Sequence, residues 1–368
     1  MLKEQLLISL NQYFCYIVPN MIIWIASYPK SGNTWIRSII SLLLFSKDGI
    51  MQNFDLLNSI DQYPLRKHFL DLVKNYNDPI EIQKKWIPSQ KIINQDKKIR
   101  FFKTHHIFCK YGNNAFTDNS NTLGVIHVVR DPRNLVTSLK HHWSLKSLED
   151  AKKKLFDIQT MTGLKIRPDK EYSFPVMISS WNNHYNAWKK VKKNYLLIRY
   201  EDLINDPEKE LNRIIVYLHN INKLKIDKKK IDNILKTTTF ENFKKLEDKG
   251  LFNEANLGQN NKLKSFFNVG PNQNWTKLIN KAIKNEIEKN FYAEMKELGY
   301  INYAGLFIEL KKSALLFVSL SFELINSIAS IVPMGLIILL NTFIFERSSL
   351  SNNNSSLLVP DLVISIAG

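Results

Sequence analysis

Residues 22–35 read IIWIASYPKSGNTW, and they decide the fold class because they hold a strand, a loop and the start of a helix in immediate succession. The apolar run at 22–27 (IIWIAS) is typical of a parallel strand that is buried on both faces. The run at 34–45 (TWIRSIISLLLF) has the apolar face of a helix. A strand, a loop and a helix in this order open a βαβ unit.

The same order of elements recurs along the chain and extends the prediction to a whole domain. Asp131-Pro132 and Asp206-Pro207 each supply a side-chain cap and a proline where a helix begins. Strands are predicted at 99–104, 125–130 and 195–200, and helices from Asp131 to about His142, over 175–193 and from Asp206. This alternation predicts an α/β, three-layer, P-loop-like fold with a central parallel sheet flanked by helices.

The polar loop after the first strand has the composition of a phosphate-binding site. A helix N-terminus offers unpaired N–H groups, Gly32 allows the close approach of an anion, and Lys30 supplies a charge. Ser31, Asn33 and Thr34 add short hydrogen-bonding side chains. A Walker A loop places its lysine after a second glycine, so the pattern disfavours an ATP-using kinase. An ordinary polar turn with a chance lysine is the alternative.

The chain carries a large positive charge. Its 51 Lys and Arg against 34 Asp and Glu give a net charge of +17, which suggests nucleic acid, a membrane surface or a phosphorylated small molecule as partner. The sequence lacks a recognition module for nucleic acid, so nucleic acid is not an expected partner. The two cysteines, Cys15 and Cys109, predict a reducing, cytoplasmic setting. Since no Cys/His array has zinc spacing, no metal is expected.

The composition changes after about residue 300. Residues 324–345 form a run of 22 residues without a charge, which is long enough to span a bilayer. Pro333 and other polar or small residues weaken a span, so the alternative is a helical hairpin broken at Pro333 that packs in the fold, at a dimer contact or on a membrane surface. We expect residues 303–346 to be a hydrophobic helical extension and residues 347–368 to be a flexible tail.

The loop YPKSGNTW at 28–35 resembles the 5′-phosphosulfate loop of the cytosolic-type sulfotransferases, which is commonly YPKSGTTW. These enzymes move a sulfuryl group from 3′-phosphoadenosine 5′-phosphosulfate (PAPS) to an acceptor. Asn33 replaces a threonine of the family pattern and retains a hydrogen-bond donor. The resemblance implies PAPS as co-substrate, Trp35 stacked on its adenine, and contacts to it from Lys30, Ser31, Gly32, Asn33, Thr34 and Trp35.

Four further segments match the family in order, up to about residue 300. KTH, at the end of the strand predicted over 99–104, resembles the family's KTH, whose histidine is the catalytic base. Here the segment supplies Lys103 and His105. VRDPRNLVTS resembles the 3′-phosphate motif, in which a strand-end arginine and a helical serine hold the phosphate, here Arg130 and Ser138. IRYED and TTTF resemble two segments beside the adenine, which implies that contact for Tyr200, Thr238 and Phe240.

The family's late RKGxxGxW loop, which clamps the 3′-phosphate, is where this sequence departs from the pattern. Alignment on the final tryptophan places Asn268, Val269 and Gly270 at the positions of Arg, Lys and Gly, so both cations are missing. Each lost charge-assisted bond costs about 1.5–3 kcal/mol unless another group replaces it. Lys262 and Lys264, in the preceding loop, are the candidates to replace them.

Sulfuryl transfer is an in-line displacement, and three of the implied residues suit its needs. His105 is suited to take the proton of an acceptor hydroxyl or amine. Lys30 is suited to stabilise charge on the leaving oxygen, with Lys103 holding the transferred group. The alternatives are a structural role for His105 and, for Arg130, an ion pair with Asp131 at the helix start.

The predicted function is that of a sulfotransferase domain over residues 21–302, after an N-terminal segment at 1–20. The acceptor is expected to be a small molecule, a lipid or a glycan, in a pocket built from loops 50–98 and 141–174. Membrane association through 303–346 and a homodimer are the other partner predictions. The alternative is an impaired homologue that binds PAPS or its product PAP (3′-phosphoadenosine 5′-phosphate) and serves as a membrane-associated interaction protein.

Overall fold

The structure is a computed structural model, and it describes residues 21–96, 98–163, 174–252, 254, 256–257, 263–270 and 274–301. The predictions for the N-terminal segment, the hydrophobic extension and the tail fall on residues outside these ranges. Across the ranges that are described, no helix is both long and apolar enough to cross a membrane. The predicted domain at 21–302 contains all of the described residues.

The domain is built on a four-stranded parallel sheet. Its strands, β1 to β4 in chain order, are Ile22–Ser27, Arg100–Thr104, Thr122–Val129 and Tyr195–Arg199. They lie in the spatial order β2-β1-β3-β4, which places β1 in the interior of the sheet. Trp24 pairs with Phe102 of β2 on one side and with Val125 of β3 on the other. The parallel sheet predicted from the buried apolar runs is confirmed.

Helices lie between β1 and β2, between β3 and β4 and after β4, and short antiparallel ladders lie outside the central sheet. The helices, α1 to α13 in chain order, are Asn33–Phe45, Pro79–Lys84, Trp86–Ile93, Pro132–His142, Leu148–Phe156, Trp181–Trp188, Tyr200–Asn205, Pro207–Asn222, Lys228–Thr237, Phe240–Asp248, Trp275–Leu278, Lys281–Asn290 and Tyr292–Glu297. Three 3-10 turns lie at Asp55–Ser59, Arg66–Phe69 and Asn94–Asp96. The ladders pair Lys110–Tyr111 with Asn114–Ala115, Met161–Thr162 with Val176–Met177, and Asn256–Leu257 with Leu263–Lys264.

The side chains of β1 alternate between two hydrophobic cores. Ile23 and Ile25 pack in a core with residues of α1, α8, α9 and α10. Ile22, Trp24 and Ala26 pack in a second core with residues of α3 and α6. Because successive side chains of a strand point to opposite faces, helices cover both faces of the sheet. The three-layer arrangement predicted from the sequence is therefore confirmed.

Several elements differ from the prediction, among them β3, which was predicted over 125–130 and spans Thr122–Val129. The helix predicted over 175–193 is reduced to α6, because Val176–Met177 pairs as a short strand and Ser179 has a left-handed φ of +67° that a helix cannot continue through. The strand predicted to run to residue 200 ends one residue earlier, and Tyr200 begins α7 instead. The two predicted aspartate caps are correct, since Asp131 and Asp206 accept N–H groups at the starts of α4 and α8.

The carboxyl ends of the parallel strands meet at one edge of the sheet. The chain leaves β1 at Tyr28, β2 at His105 and β3 at Arg130, so the loops that carry the predicted site residues converge there. Ligands of open α/β sheets bind in the crevice at this edge. The fold therefore gathers segments that are about 100 residues apart in the sequence.

Candidate active site

The loop between β1 and α1 has a backbone that depends on glycine. Gly32 has a φ of +104°, and a Cβ at this position would lie 2.7 Å from Cδ2 of Tyr200. Lys30 also lies in the left-handed region, with a φ of +68°. Gly32 is the N-cap residue of α1, so the first N–H groups of that helix, which have no partner within the helix, follow the turn directly.

Ser31 and Asn33 divide the polar roles of this loop. Ser31 is fully buried, and its Oγ has no hydrogen-bond partner among the described residues. The side-chain amide of Asn33 donates to the Ile25 carbonyl at 3.0 Å and to Ser27 Oγ at 3.1 Å, which ties it to the end of β1. A buried hydroxyl beside a helix N-terminus suits a phosphate oxygen, so the loop fits the 5′-phosphate of the predicted co-substrate.

Lys30 lies beneath the aromatic ring of Phe266. Its Nζ is 3.4 Å from the ring centroid and donates to the Phe266 carbonyl at 3.3 Å. Burial lowers the pKa of Lys30 most, the nearby charge of Arg130 lowers it further, and the resulting pKa is about 7. The side-chain amine of Lys30 therefore loses its proton more readily than that of an ordinary lysine.

Lys103, near the end of β2, is paired with a carboxylate. Its Nζ is 3.7 Å from Oε2 of Glu254, and Oε1 of Glu254 accepts from Nη1 of Arg37 at 2.7 Å. The Arg37 side chain is buried and also donates to the carbonyls of Leu57 and Ile60. One carboxylate thus bridges a candidate catalytic lysine and a buried guanidinium group of α1.

His105 follows β2 directly, and the end of β1 holds its ring. Nδ1 lies 2.8 Å from the Ser27 carbonyl, so it donates there and leaves Nε2 with its lone pair. Burial and the charge of Lys103 lower the pKa of His105 well below its usual value. The imidazole is therefore neutral at pH 7 and can accept a proton at Nε2. Lys103 also lowers the pKa of Lys30, so the three predicted catalytic residues are neighbours.

A second cluster surrounds Tyr200. The guanidinium group of Arg130 lies 4.1 Å from the centroid of the Tyr200 ring and donates to the Lys30 carbonyl at 3.0 Å. The Trp35 ring meets Tyr200 edge-on, with 5.9 Å between the centroids. Gly32, Trp35, Arg130 and Tyr200, which the sequence analysis assigned to the co-substrate, are thus in one place.

Residues 21–299 match the family model of the sulfotransferase domain, which covers most of the chain. The chain belongs to the sulfotransferase family. The match confirms the family and the enzyme class that the sequence motifs indicate. Among the described residues, no group of three or more His, Cys, Asp or Glu side chains is arranged to hold a metal ion.

Named relatives of this sulfotransferase are distant in sequence. The amine sulfotransferase of Oryctolagus cuniculus is 22% identical over 75% of this chain and 81% of its own length. Cytosolic sulfotransferase 13 of Arabidopsis thaliana is 25% identical over 72% of this chain and 74% of its own length.

Solved structures that resemble the chain are also low in sequence identity to it. Retinol dehydratase in complex with retinol and PAP has a TM-score of 0.48 and 17% identity, over 76% of this chain and 82% of that chain. A mouse sulfotransferase complexed with PAP has a TM-score of 0.44 and 18% identity, over 75% of this chain and 85% of that chain.

For three other residues assigned to the co-substrate, we describe no contact to the clusters around Lys30 and Tyr200. Ser138 is half-buried on α4, and the buried Thr238, which directly follows α9, donates its hydroxyl to the Ile234 carbonyl of that helix at 2.8 Å. The Phe240 ring lies against Gly270, which has a φ of +61°. Their roles in binding stay predictions.

Asn268 and Val269, the positions at which the family has two cations, are exposed. Of the two lysines considered as replacements, Lys262 lies outside the described residues. Lys264 donates to the His141 carbonyl and, at 3.0 Å, to Ser144 Oγ, both just after the segment that carries Ser138. The part of Lys262, Lys264, Asn268 and Val269 in holding the 3′-phosphate likewise stays a prediction.

Residues 263–270 form a covering segment over Lys30. Glu247 of α10 holds it, because its carboxylate accepts from the Phe266 N–H, from the Phe267 N–H at 3.0 Å and from Ser265 Oγ at 3.1 Å. His141 Nε2 lies 2.9 Å from the Ser265 carbonyl and ties the segment to the end of α4. The segment that places Phe266 on Lys30 is thus held by hydrogen bonds at the residues before and after Phe266.

Sequence reasoning missed several residues at this site. Glu254 and Phe266 reach the two lysines from loops more than 150 residues away, and nothing local in their sequence signals that contact.

Proposed function

We propose that this sulfotransferase moves a sulfuryl group from PAPS to a hydroxyl or amine of a small-molecule, lipid or glycan acceptor by in-line displacement. The observation that carries the proposal is the convergence of Lys30, Lys103 and a neutral His105 beside the partnerless hydroxyl of Ser31. PAPS, when bound, supplies the sulfuryl group and PAP as the leaving group. The retinol dehydratase and mouse sulfotransferase structures contain PAP, which agrees with this donor.

Different residues of the chain bind the co-substrate, take the acceptor proton and stabilise the leaving group. Ser31 Oγ and the first N–H groups of α1 would hold the 5′-phosphate, and Arg130 would hold the 3′-phosphate with the adenine beside Trp35 and Tyr200. Nε2 of His105 takes the acceptor proton, because Nδ1 is already committed to Ser27. The Lys30 ammonium group stabilises negative charge on the leaving oxygen when it is protonated.

The role of the base is tested by His105→Ala. We expect transfer from labelled PAPS to fall by about 10²–10⁴-fold, because general-base catalysis contributes that much, while the PAP affinity measured by calorimetry stays within a few-fold. His219→Ala is the matched control, since His219 is exposed on α8 and away from this edge of the sheet. Turnover that is unchanged in His105→Ala would exclude His105 as the base.

A second candidate function is an impaired homologue that binds PAP or PAPS and acts as a membrane-associated interaction protein. The exposed, uncharged Asn268 and Val269 favour it, because the family carries cations at these positions. PAP binding without transfer to any of a broad panel of phenols, sterols, amines, sugars and lipids would support it. Turnover of one acceptor would exclude it.

The setting of the enzyme belongs to the same proposal. We place it in the cytoplasm, in keeping with the cytosolic sulfotransferase among its relatives, with membrane association through residues 303–346 and a homodimer as further expectations. Fractionation of the full chain and of a chain ending at residue 302 tests the membrane association. Equal distribution of the two chains would exclude it.

A further inference from the structure

We infer that Glu201 is a positioning residue for recognition of the 3′-phosphate: from the start of α7 it fixes the backbone that carries Arg130. The inference rests on the proposed function, since it takes Arg130 as the residue that binds the 3′-phosphate of PAPS. Both carboxylate oxygens of Glu201 accept hydrogen bonds from groups of the protein, so Glu201 acts through Arg130 and not on the co-substrate itself.

Two consecutive residues of α7 hold Arg130 and the peptide bond that follows it. The guanidinium group of Arg130 lies 4.1 Å from the centroid of the Tyr200 ring. Oε1 of Glu201 accepts from the Asp131 N–H at 3.0 Å, and this N–H belongs to the peptide bond between Arg130 and Asp131. Arg130 and Asp131 are both almost completely buried. The position of the guanidinium group therefore depends on α7 through its side chain and through its backbone.

The Asp131 N–H needs an acceptor from outside its own helix. Asp131 is the N-cap residue of α4, and the N–H groups at the start of a helix have no backbone partner within it. In a capping box, the side chain three residues further along accepts this N–H. That residue here is Asn134, whose Oδ1 accepts from the Trp275 N–H at 3.0 Å. Glu201 supplies the acceptor instead, and it thereby joins the end of β3 to the start of α7.

Tyr300 and Arg133 complete a closed ring of hydrogen bonds with Glu201 and Asp131. The Tyr300 hydroxyl donates to Oε2 of Glu201 at 2.9 Å. Nη2 of Arg133 donates to the Tyr300 carbonyl at 2.8 Å and to Oδ2 of Asp131 at 2.6 Å. Each of the four residues is thus bonded to two others, so Glu201 cannot turn away from Asp131 without breaking the ring.

The placement of Arg130 matters more in this chain than the family pattern requires. Asn268 and Val269 are at the positions where the family has two cations, so Arg130 carries a larger share of the binding of the 3′-phosphate. A guanidinium group binds phosphate through hydrogen bonds of fixed direction, and a displaced group loses them. Loss of Glu201 should therefore weaken recognition of the 3′-phosphate and leave the rest of the nucleotide bound as before.

The test compares two nucleotides that differ only in the 3′-phosphate, PAP and adenosine 5′-phosphate (AMP). The ratio of their dissociation constants, measured by calorimetry, isolates the contribution of that phosphate. In Glu201→Leu we expect PAP affinity to fall by about tenfold or more and AMP affinity to stay within about twofold. In Glu201→Gln we expect PAP affinity within about threefold of the wild type, because the amide oxygen can still accept the Asp131 N–H.

Glu210→Leu is the matched control, since it is the same substitution at a buried carboxylate of the neighbouring helix α8. Oε2 of Glu210 accepts from Nη1 of Arg213 at 2.6 Å instead of from the turn after Arg130. We expect Glu210→Leu to lower the melting temperature as Glu201→Leu does and to leave the ratio of PAP to AMP affinity unchanged.

Tyr300→Phe is a milder variant that keeps the inference testable if Glu201→Leu does not fold. It removes only the hydroxyl that holds Oε2 of Glu201. We expect PAP affinity to fall by about threefold and AMP affinity to stay as it is in the wild type.

Equal loss of PAP and AMP affinity in Glu201→Leu, or a control that lowers the ratio as much, would overturn the inference. Unchanged PAP affinity in Tyr300→Phe and in every folded Glu201 variant would overturn it as well. A wild type that does not prefer PAP over AMP would show that the 3′-phosphate is not recognised at Arg130. Failure of the proposed function has a different sign, namely PAP binding without transfer from PAPS, and the affinity ratio then still decides the role of Glu201.

Discussion

Lys30 lies in surroundings that disfavour its charged form. Its ammonium group is under the Phe266 ring and near Arg130, and these surroundings lower its pKa to about 7. A phosphate or sulfate group placed beside it favours the charged form and raises that pKa again. Binding of an anion at this lysine is therefore coupled to the uptake of a proton.

The coupling predicts a pH dependence of PAP binding. Above pH 7 most free protein carries a neutral Lys30 and must take up a proton to bind, so affinity should fall as pH rises from 7 toward 9. Calorimetry in two buffers of different ionisation enthalpy measures the proton uptake. Lys30→Arg should bind PAP without this decline, because guanidinium stays charged. Wild-type affinity that does not fall between pH 7 and 9 would contradict the coupling.

Single residues of the site were predictable to different degrees. Lys30 and Gly32 were predicted because they follow a buried apolar strand that is visible in the sequence, whereas the role of Arg130 was implied by the resemblance of its segment to a family motif. Glu254 was not predicted, because its contact to Lys103 depends on how two distant loops pack and leaves no local pattern.

At the scale of the element, the covering segment 263–270 is attached to its surroundings mainly through Glu247. The sequence predicts a cofactor clamp with two missing cations in this part of the chain, and that role stays a prediction. The structure adds a contact that was not predicted, the ring of Phe266 on the lysine of the phosphate loop. A two-residue ladder and a loop have no periodicity, which is why their position could not be predicted.

Phe266→Ala should alter the pH dependence described for Lys30. Loss of the ring exposes the ammonium group to water, so the pKa of Lys30 should rise from about 7 toward its ordinary value of 10.5. The pH at which PAP affinity begins to fall should move upward by more than about one unit. Calorimetry across pH measures the shift.

Leu251→Ala is the control for that substitution, because Leu251 is exposed just after α10 and lies outside the covering segment. It should leave the pH dependence where it is in the wild type. An unchanged midpoint in Phe266→Ala would show that burial by other groups sets the pKa of Lys30.

At the scale of the whole molecule, the charge of +17 is distributed unevenly. Residues 301–368 carry three basic and four acidic residues, so the surplus lies within residues 1–300. The few cations with named roles, such as Lys30, Lys103 and Arg130, account for a small part of it. The rest is available to attract anions to the domain.

The surplus predicts salt-sensitive association with PAP. The association rate constant measured by stopped flow should fall by about tenfold between about 0.05 and 0.5 M salt, because screening weakens long-range attraction. The dissociation rate constant should change less. An association rate that is independent of salt would mean that the surplus charge lies away from the site.

The overall architecture was the most predictable feature of the molecule. Continuous apolar runs such as 22–27 predict strands covered on both faces, and the two cores around β1 show this directly. The shortened α6 was not predicted, because the left-handed Ser179 that precedes it is not a glycine and carries no recognisable signal.

The interior position of β1 makes one part of the site more rigid than another. β1 is hydrogen-bonded to strands on both of its edges and is buried on both faces, so its end at Ser27 can move only when the whole domain opens. Phe266, by contrast, is half-buried at the margin of the core that holds Ile23 and Ile25, and its segment is tied down by side-chain bonds to Glu247 and His141. Backbone hydrogen exchange is therefore expected to be slower at the end of β1 than in the covering segment.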